Sequence, residues 1–311
     1  MIKQKDLLGL RHISTDEIDE ILTASLPMKD IIMRDVKKVP ALRGKSMATL
    51  FFENSTRTKS SFEIAAKYLS ADCTNLAVST SSVAKGETLI DTAKTLEVMG
   101  IELFVMRHGA SGAPHFLGKH TNARIINAGD GMNEHPTQGL LDMFTMKTHK
   151  GNLGDLTVTI MGDVSHSRVA RSNIWGLVKY GTNVRVVAPE TLIPKELQKM
   201  GVQVYTDVEA ALKGADVVNV LRLQKERQSA GLLPSLEEYN RFWGLTRKRV
   251  DLLKPDAIIM HPGPMNRGVE IMPDVYDMER CVVDEQVTNG VAVRMALLFM
   301  MLGGKVSDET N

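Results

Sequence analysis

Short apolar runs that end in polar loops and hand over to helix-spaced segments recur through this 311-residue chain, and that alternation leaves few folds open to it. Residues 47–52 are apolar enough for a buried strand, with Gly44 and Lys45 marking its start. Phe62, Ala65, Ala66 and Leu69 follow at the interval that sets one helix face against a core. Residues 75–78 read as a second strand, and a helix over 88–99 leads through Gly100 to a strand at 103–106. A strand at 124–127 precedes a helix that opens near His135 and carries Leu140, Leu141 and Phe144. The rhythm resumes at 157–161, followed by a helix with Ile174, Leu177 and Val178, and strands are expected at 183–188, 216–221 and 257–260. A leading helix is expected over 15–33, with Ile18, Ile21 and Leu22 on one stripe.

This pattern predicts an α/β chain of two domains, each a mostly parallel sheet flanked by helices, with ligands held beyond the carboxyl ends of the strands. The length agrees, since domains run to about 100–200 residues. Residues 147–154, polar with two glycines, read as a linker. The last helix, 286–302, is apolar on most sides and is expected to find its core by returning to the N-terminal domain.

Several function classes fall away on composition. A net charge of +1 gives no general field for nucleic acid. The longest apolar run, 295–302, is too short for a bilayer. Lys3, Lys5 and Asp6 lead into mixed polar sequence and not an apolar signal segment, so a cytoplasmic protein is expected. Cys73 and Cys281 make neither a disulfide framework nor a metal motif, and they read as small buried hydrophobes. No HExxH, carboxylate cluster or paired nucleophile stands out, and Gly162 does not open a GxGxxG, so neither metal nor cofactor is expected.

The polar groups gather where the strands end. At the first such edge, Ser55, Thr56, Arg57 and Thr58 stand where a helix begins, so hydroxyls and a guanidinium join free backbone N–H groups at the positive end of a helix dipole. That reads as an anion cradle, although Ser and Thr at such positions also serve as plain helix caps. Arg107, Arg168 and Arg222 hold equivalent places, and Lys85 lies on the polar loop 79–87. Like charges converging without a partner would destabilise a fold, and a site for multiply charged anions explains them; planar guanidinium suits carboxylate and phosphate. His135 is either an ordinary helix-start residue or a donor to a carbonyl oxygen. The polar loop 223–235 is expected to close over a ligand.

FFENSTRT at 51–58, SSVAKGETL at 81–89, VMRH at 105–108, HPTQ at 135–138, LRLQKER at 221–227 and HPGPMNRGVEI at 261–271 occur in the order found in aspartate carbamoyltransferase catalytic chains. The chain resembles that family over nearly its whole length. The resemblance implies transfer of the carbamoyl group of carbamoyl phosphate to L-aspartate, an early step of pyrimidine biosynthesis. It implies that Ser55, Thr56, Arg57, Thr58 and Arg107 hold the phosphate, and that Thr58, Arg107 and His135 polarise the carbamoyl oxygen. Gln138 and the backbone of Pro262, in the Pro262, Gly263, Pro264 turn, would hold the carbamoyl NH2. Arg168, Arg222 and Gln224 would grip the two carboxylates of aspartate, and Pro264 is a candidate for a cis peptide bond. Ser81 and Lys85 would come from a neighbouring subunit, which makes the working unit a homotrimer with sites at subunit interfaces. Residues 1–136 and 289–311 would form the carbamoyl-phosphate-binding domain, and 137–288 the aspartate-binding domain. HPGP stands where the best-known regulated relatives have HPLP, so a higher assembly with a regulatory chain or dihydroorotase is left open. The alternatives are an ornithine or other amino-acid carbamoyltransferase and a non-catalytic anion-binding assembly subunit. Arg222 in LRLQKER, and Gly263 where ornithine enzymes carry the cysteine of HCLP, favour a dicarboxylate acceptor.

Overall fold

Two parallel sheets organise the chain in a computed structural model that describes residues 4–77, 87–224 and 235–303. In the first, β1 (Ser46–Phe51), β2 (Asp72–Ala77), β3 (Leu103–His108) and β4 (Arg124–Asp130) lie in the order β2-β1-β3-β4. In the second, β5 (Thr157–Met161), β6 (Asn183–Val187), β7 (Gln203–Tyr205), β8 (Val217–Val220) and β9 (Ile258–Met260) lie in the order β7-β6-β5-β8-β9. All their pairings are parallel. The contacts divide the chain into two units, Met1–Leu141 with Thr288–Asn311, and Asp142–Val287.

Before, between and after the strands run α1 (Thr15–Met33), α2 (Thr56–Tyr68), α3 (Leu89–Val98), α4 (Ala113–Gly118), α5 (Pro136–Lys150), α6 (Arg168–Val178), α7 (Val208–Leu212), α8 (Leu236–Trp243), α9 (Arg247–Val250), α10 (Pro273–Tyr276) and α11 (Val283–Met301). The inner strands are buried on both faces, Met47, Ala48, Thr49 and Leu50 of β1 being wholly enclosed, while the edge strands β2 and β7 are partly exposed. That is the reason a parallel strand reads as a continuous apolar run and not an alternation. Burying each such Leu or Met side chain stabilises by about 1.5–3 kcal/mol.

α1 and β5 occupy the residues expected of them. α1 starts on a capping box, with Ser14 and Glu17 bonding each other's backbone N–H. α11 returns to the first unit: Arg294 donates through Nη1 to Ser61 Oγ at 2.8 Å and lies over the Phe62 ring, 5.3 Å from its centroid. Ala292, Val293, Met295, Ala296, Leu297 and Leu298 are fully buried, which accounts for its apolar circumference.

Other expectations need correction. α5 continues to Lys150, through half of the expected linker. Lys147, His149 and Lys150 face the negative end of its dipole, and Gly151 ends it at φ +77°. The polarity of that stretch is helix-terminal chemistry. Both cysteines are half-buried and not enclosed. α4 and β7 were not foreseen: α4 starts with proline in its first turn, and β7 has only three residues. Ser81 and Lys85, with loop residues 79–86, and 225–234 of the expected closing loop lie outside the described residues.

Candidate active site

In the first sheet β1 leads to β2 on one side and to β3 on the other, so the strand order reverses between β1 and β3. In open α/β sheets the crevice beyond the carboxyl ends at such a switch point is where ligands bind. Phe51, last in β1, pairs with Arg107 of β3, and Phe52 N–H donates to the Arg107 carbonyl at 2.9 Å. The stretch that follows β1 therefore opens beside Arg107. Glu53 Oε2 lies 3.3 Å from Arg107 Nε and holds the guanidinium at the strand end.

The cradle follows at the start of α2. Ser55 is its N-cap residue, yet its side chain makes no cap hydrogen bond. Ser14, Thr88, Ser167, Asp207 and Ser235 all cap the helices they precede with a side-chain oxygen. The first turn of α2 also lacks an acidic residue. Thr56 and Arg57 are exposed and Thr58 is buried in that turn. An uncapped start is compatible with an anion cradle, and equally with a plain helix start such as the one Thr246 gives α9.

His135 precedes α5 and is buried, as is Gln138 in its first turn. Thr137 Oγ1 lies 3.4 Å from His135 Nδ1. A buried carboxylate fixes the loop before it: Asp130 accepts from Asn127 Nδ2 at 2.8 Å, Gly112 N–H at 2.7 Å and Glu134 N–H at 3.1 Å. Glu134 in turn accepts from the Leu10 N–H at 2.7 Å. Gly131 has φ +47°, and a Cβ there would meet Ser111 Oγ at 2.4 Å, so only glycine fits this turn.

The second sheet has its switch point between β5 and β8, and the stretches that carry Arg168, Arg222 and Gln224 follow those two strands. β5 runs into Gly162 and the fully buried Asp163, whose Oδ1 is 2.7 Å from His166 Nδ1. Asp163 Oδ2 accepts the Gln224 N–H at 3.3 Å, joining the ends of β5 and β8. Gln224 Nε2 reaches the Arg222 carbonyl at 3.4 Å. Arg168, expected among the strand-end cations, is the buried first residue of α6. Gly162 has φ +122°, and a Cβ there would stand 3.1 Å from the Tyr239 hydroxyl.

After β9 the chain turns at 261–264. Gly263 N–H donates to His261 Nδ1 at 2.8 Å, which leaves the ring proton of a neutral His261 on Nε2, and the Gly263–Pro264 peptide is cis. Glu270 ties this loop to β8, accepting from Leu223 N–H and Asn266 N–H, both at 2.9 Å. Burial pushes its carboxyl above the usual range, against the pull of those donors. Burial, then the Glu270 and Asp163 charges, hold the Tyr239 phenol protonated.

The described candidates divide between the units: Ser55, Thr56, Arg57, Thr58, Arg107, His135 and Gln138 lie in the first, Arg168, Arg222, Gln224, Pro262, Gly263 and Pro264 in the second. A cavity of about 430 Å³ at the opposite, amino end of the first sheet, lined by Lys45, Glu102 and Arg124, includes none of them. Burial pushes the thiols of Cys73 and Cys281 up to about 11, so both stay protonated and poorly nucleophilic near neutral pH. Among the described residues no group of His, Cys, Asp and Glu could hold a metal ion, and no helix is long and apolar enough to cross a membrane.

Two family profiles match the chain: aspartate/ornithine carbamoyltransferase, carbamoyl-P binding domain, over residues 5–148, and the Asp/Orn binding domain of the same family over residues 154–301. The chain belongs to the aspartate/ornithine carbamoyltransferase family. Among these carbamoyltransferases it is 61% identical to the aspartate carbamoyltransferase catalytic subunit of Heliobacterium modesticaldum over 309 residues, 99% of each chain. It is 60% identical to that of Acetivibrio thermocellus over the full length of both. The aspartate transcarbamoylase of Trypanosoma cruzi, solved with N-(phosphonacetyl)-L-aspartic acid, superposes with a TM-score of 0.86 at 31% identity, covering 96% of both chains. Ornithine carbamoyltransferase of Pyrococcus furiosus superposes at 0.84 and 29% identity, covering 97% of this chain and 98% of that one. The family fold alone therefore does not separate the two acceptors.

Sequence reasoning missed the carboxylates that brace this carbamoyltransferase framework: Glu53, Asp130, Glu134, Asp163 and Glu270. A carboxylate at a strand end among cationic candidates was the available signal for Glu53 and Asp163. Asp130 also ends a strand and keeps partners nearby in sequence, whereas Glu134 and Glu270 accept from backbone 124 and 47 residues away, which leaves no local mark.

Proposed function

We propose that the chain transfers the carbamoyl group of carbamoyl phosphate to the α-amino group of L-aspartate, giving N-carbamoyl-L-aspartate and phosphate in de novo pyrimidine (UMP) biosynthesis. The structural observation that carries this reading is the uncapped start of α2 beside Arg107 at the first switch point. The acceptor rests on relatives 61% and 60% identical that are aspartate carbamoyltransferase catalytic subunits, and on the arginine-bearing end of β8.

Ser55, Thr56, Arg57 and Thr58 with Arg107 bind the phosphate of the donor. Thr58, Arg107 and His135 donate to the carbamoyl oxygen, and Gln138 with the Pro262 carbonyl orients its NH2. Arg168, Arg222 and Gln224 hold the aspartate carboxylates so that the neutral amine meets the carbonyl carbon. As the C–N bond forms, negative charge moves onto the carbamoyl oxygen, where those donors stabilise it by about 2.7–4 kcal/mol each. The C–O bond to phosphate then breaks, and the departing phosphate takes the proton released by the amine. Holding both reactants in line supplies about 7–11 kcal/mol, so positioning and electrostatics suffice without a dedicated base.

The carbamoyl-phosphate-binding domain takes 1–136 with 289–311 and the aspartate-binding domain 137–288, bounds that lie within about five residues of those of the two units. The working unit is a cytoplasmic homotrimer in which Ser81 and Lys85 complete a neighbour's site. Inorganic phosphate at a hundred times its dissociation constant is expected to stabilise the protein by about 2.7 kcal/mol, visible as a raised Tm. An unchanged Tm at matched ionic strength would remove the cradle. The decisive experiment offers purified protein carbamoyl phosphate with aspartate or with ornithine. Ureido product is expected from aspartate, and product from ornithine alone would overturn the assignment.

A further inference from the structure

Asp142 on α5 is fully buried, and its two oxygens take hydrogen bonds from three side-chain amides. Asn173 Nδ2 of α6 donates to Oδ2 at 2.7 Å, Asn219 Nδ2 of β8 donates to Oδ2 at 3.2 Å, and Gln286 Nε2 of α11 donates to Oδ1 at 2.9 Å. All three amides are themselves buried. Among the described residues, Asn173 Oδ1 and Asn219 Oδ1 are left without a hydrogen-bond partner, an arrangement that stability alone would not favour.

Gln286 carries the arrangement towards the site. A carboxylate only accepts, so it fixes which end of the Gln286 amide faces it: NH2 towards Asp142, carbonyl away. That carbonyl, Gln286 Oε1, accepts the His261 N–H at 2.9 Å. His261 Nδ1 accepts the Gly263 N–H at 2.8 Å. Three consecutive hydrogen bonds thus run from a buried charge to the turn whose Pro262 carbonyl the mechanism uses. Asn219 is one residue from the end of β8, and Arg222 follows three residues later, so the same carboxylate also braces the strand that presents the acceptor-binding arginine.

We propose that Asp142 is a positioning residue for carbamoyl transfer, acting through Gln286 to set the 261–264 turn. This rests on the function proposed above. Its distinguishing requirement is an acceptor-only group at position 142, not merely a filled space.

Two variants test it. Asp142→Asn keeps the shape but turns one acceptor into an NH2 that confronts other NH2 groups. Gln286→Met keeps the volume and cuts the link to the His261 N–H. Each is expected to lower kcat/KM for aspartate by about tenfold or more, since small misplacements of reacting groups cost that much. The Tm rise produced by inorganic phosphate is expected to persist in both, because the cradle belongs to the other unit. The double variant is expected to lose no more than the worse single one, as for residues acting in one chain of contacts. Kinetic constants within about twofold of wild type in either variant, whatever the Tm, would overturn the proposal, and so would losses that multiply in the double variant. If Asp142→Asn does not fold, Gln286→Met alone decides by the same kinetic criterion. Wild-type protein assayed alongside separates the two levels: no carbamoyl aspartate from it removes the reaction and this role together, whereas active wild type with unaffected variants removes the role alone.

Discussion

Arg107→Ala is expected to lower kcat by about 10²–10³, the loss typical of removing one charge-stabilising donor from an acyl-transfer site. The proposed reaction needs this guanidinium twice, on the phosphate in the ground state and on the carbamoyl oxygen as charge develops there. A ground-state contact alone would appear in KM for carbamoyl phosphate with kcat preserved; a donor used in the transition state appears in kcat. The register of β3 against β1 puts Arg107 beside the stretch leading to the cradle, and Glu53 restrains the side chain at 3.3 Å. Truncation would also remove that cationic neighbour from a carboxylate beside the proposed anion site, which adds repulsion to the lost attraction. Arg107→Lys retains charge and loses the planar fork, so its kcat should stay well below wild type. Steady-state kinetics in both substrates, with the phosphate-induced Tm shift as a measure of binding, separates the two roles. A kcat within a few-fold of wild type for Arg107→Ala would remove this residue from the chemistry.

How far such a site can be read from sequence depends on how locally each part is specified. The strand runs and the STRT stretch are local: apolar period, hydroxyls and a helix start suffice, and α1, β5 and the start of α2 stand where expected. Whether Ser55 caps or cradles is not local. It turns on where its side chain lies relative to the first-turn N–H groups, and an identical serine at position 167 does cap. Buried carboxylates are the hardest part to foresee. Asp142, Asp130 and Glu270 are of residue types usually found at the surface, and each is held by partners far along the chain or in another loop. Arg168 shows the same limit from the other side: its sequence context suggests a strand-end cation, while the fold buries it at the first position of α6. Catalytic side chains thus announce themselves by type and motif, whereas the groups that hold them announce themselves only through long-range geometry.

Assembly has the second large expected effect. Lys85→Ala is expected to abolish measurable turnover in a pure preparation, and Arg57→Ala to do the same, because each removes a cation from the same proposed anion site. If Lys85 serves a neighbour's cradle, the two lesions can be segregated. In any trimer holding both kinds of chain, one interface joins a chain with an intact cradle to a chain with an intact Lys85. Random mixing at equal amounts then yields about one native site in four, given closed threefold symmetry. Dissociating the two inactive proteins together and reassembling them is therefore expected to restore about a quarter of wild-type activity, with KM values close to wild type because the restored sites are complete. Reassembly of either variant alone is the control and should stay inactive. If Lys85 instead completes the site of its own chain, every site in the mixture carries one lesion or the other. Persistent inactivity of mixed trimers, with exchange verified by the mass of differently tagged chains, would rule out the shared site while leaving the proposed chemistry of each chain intact.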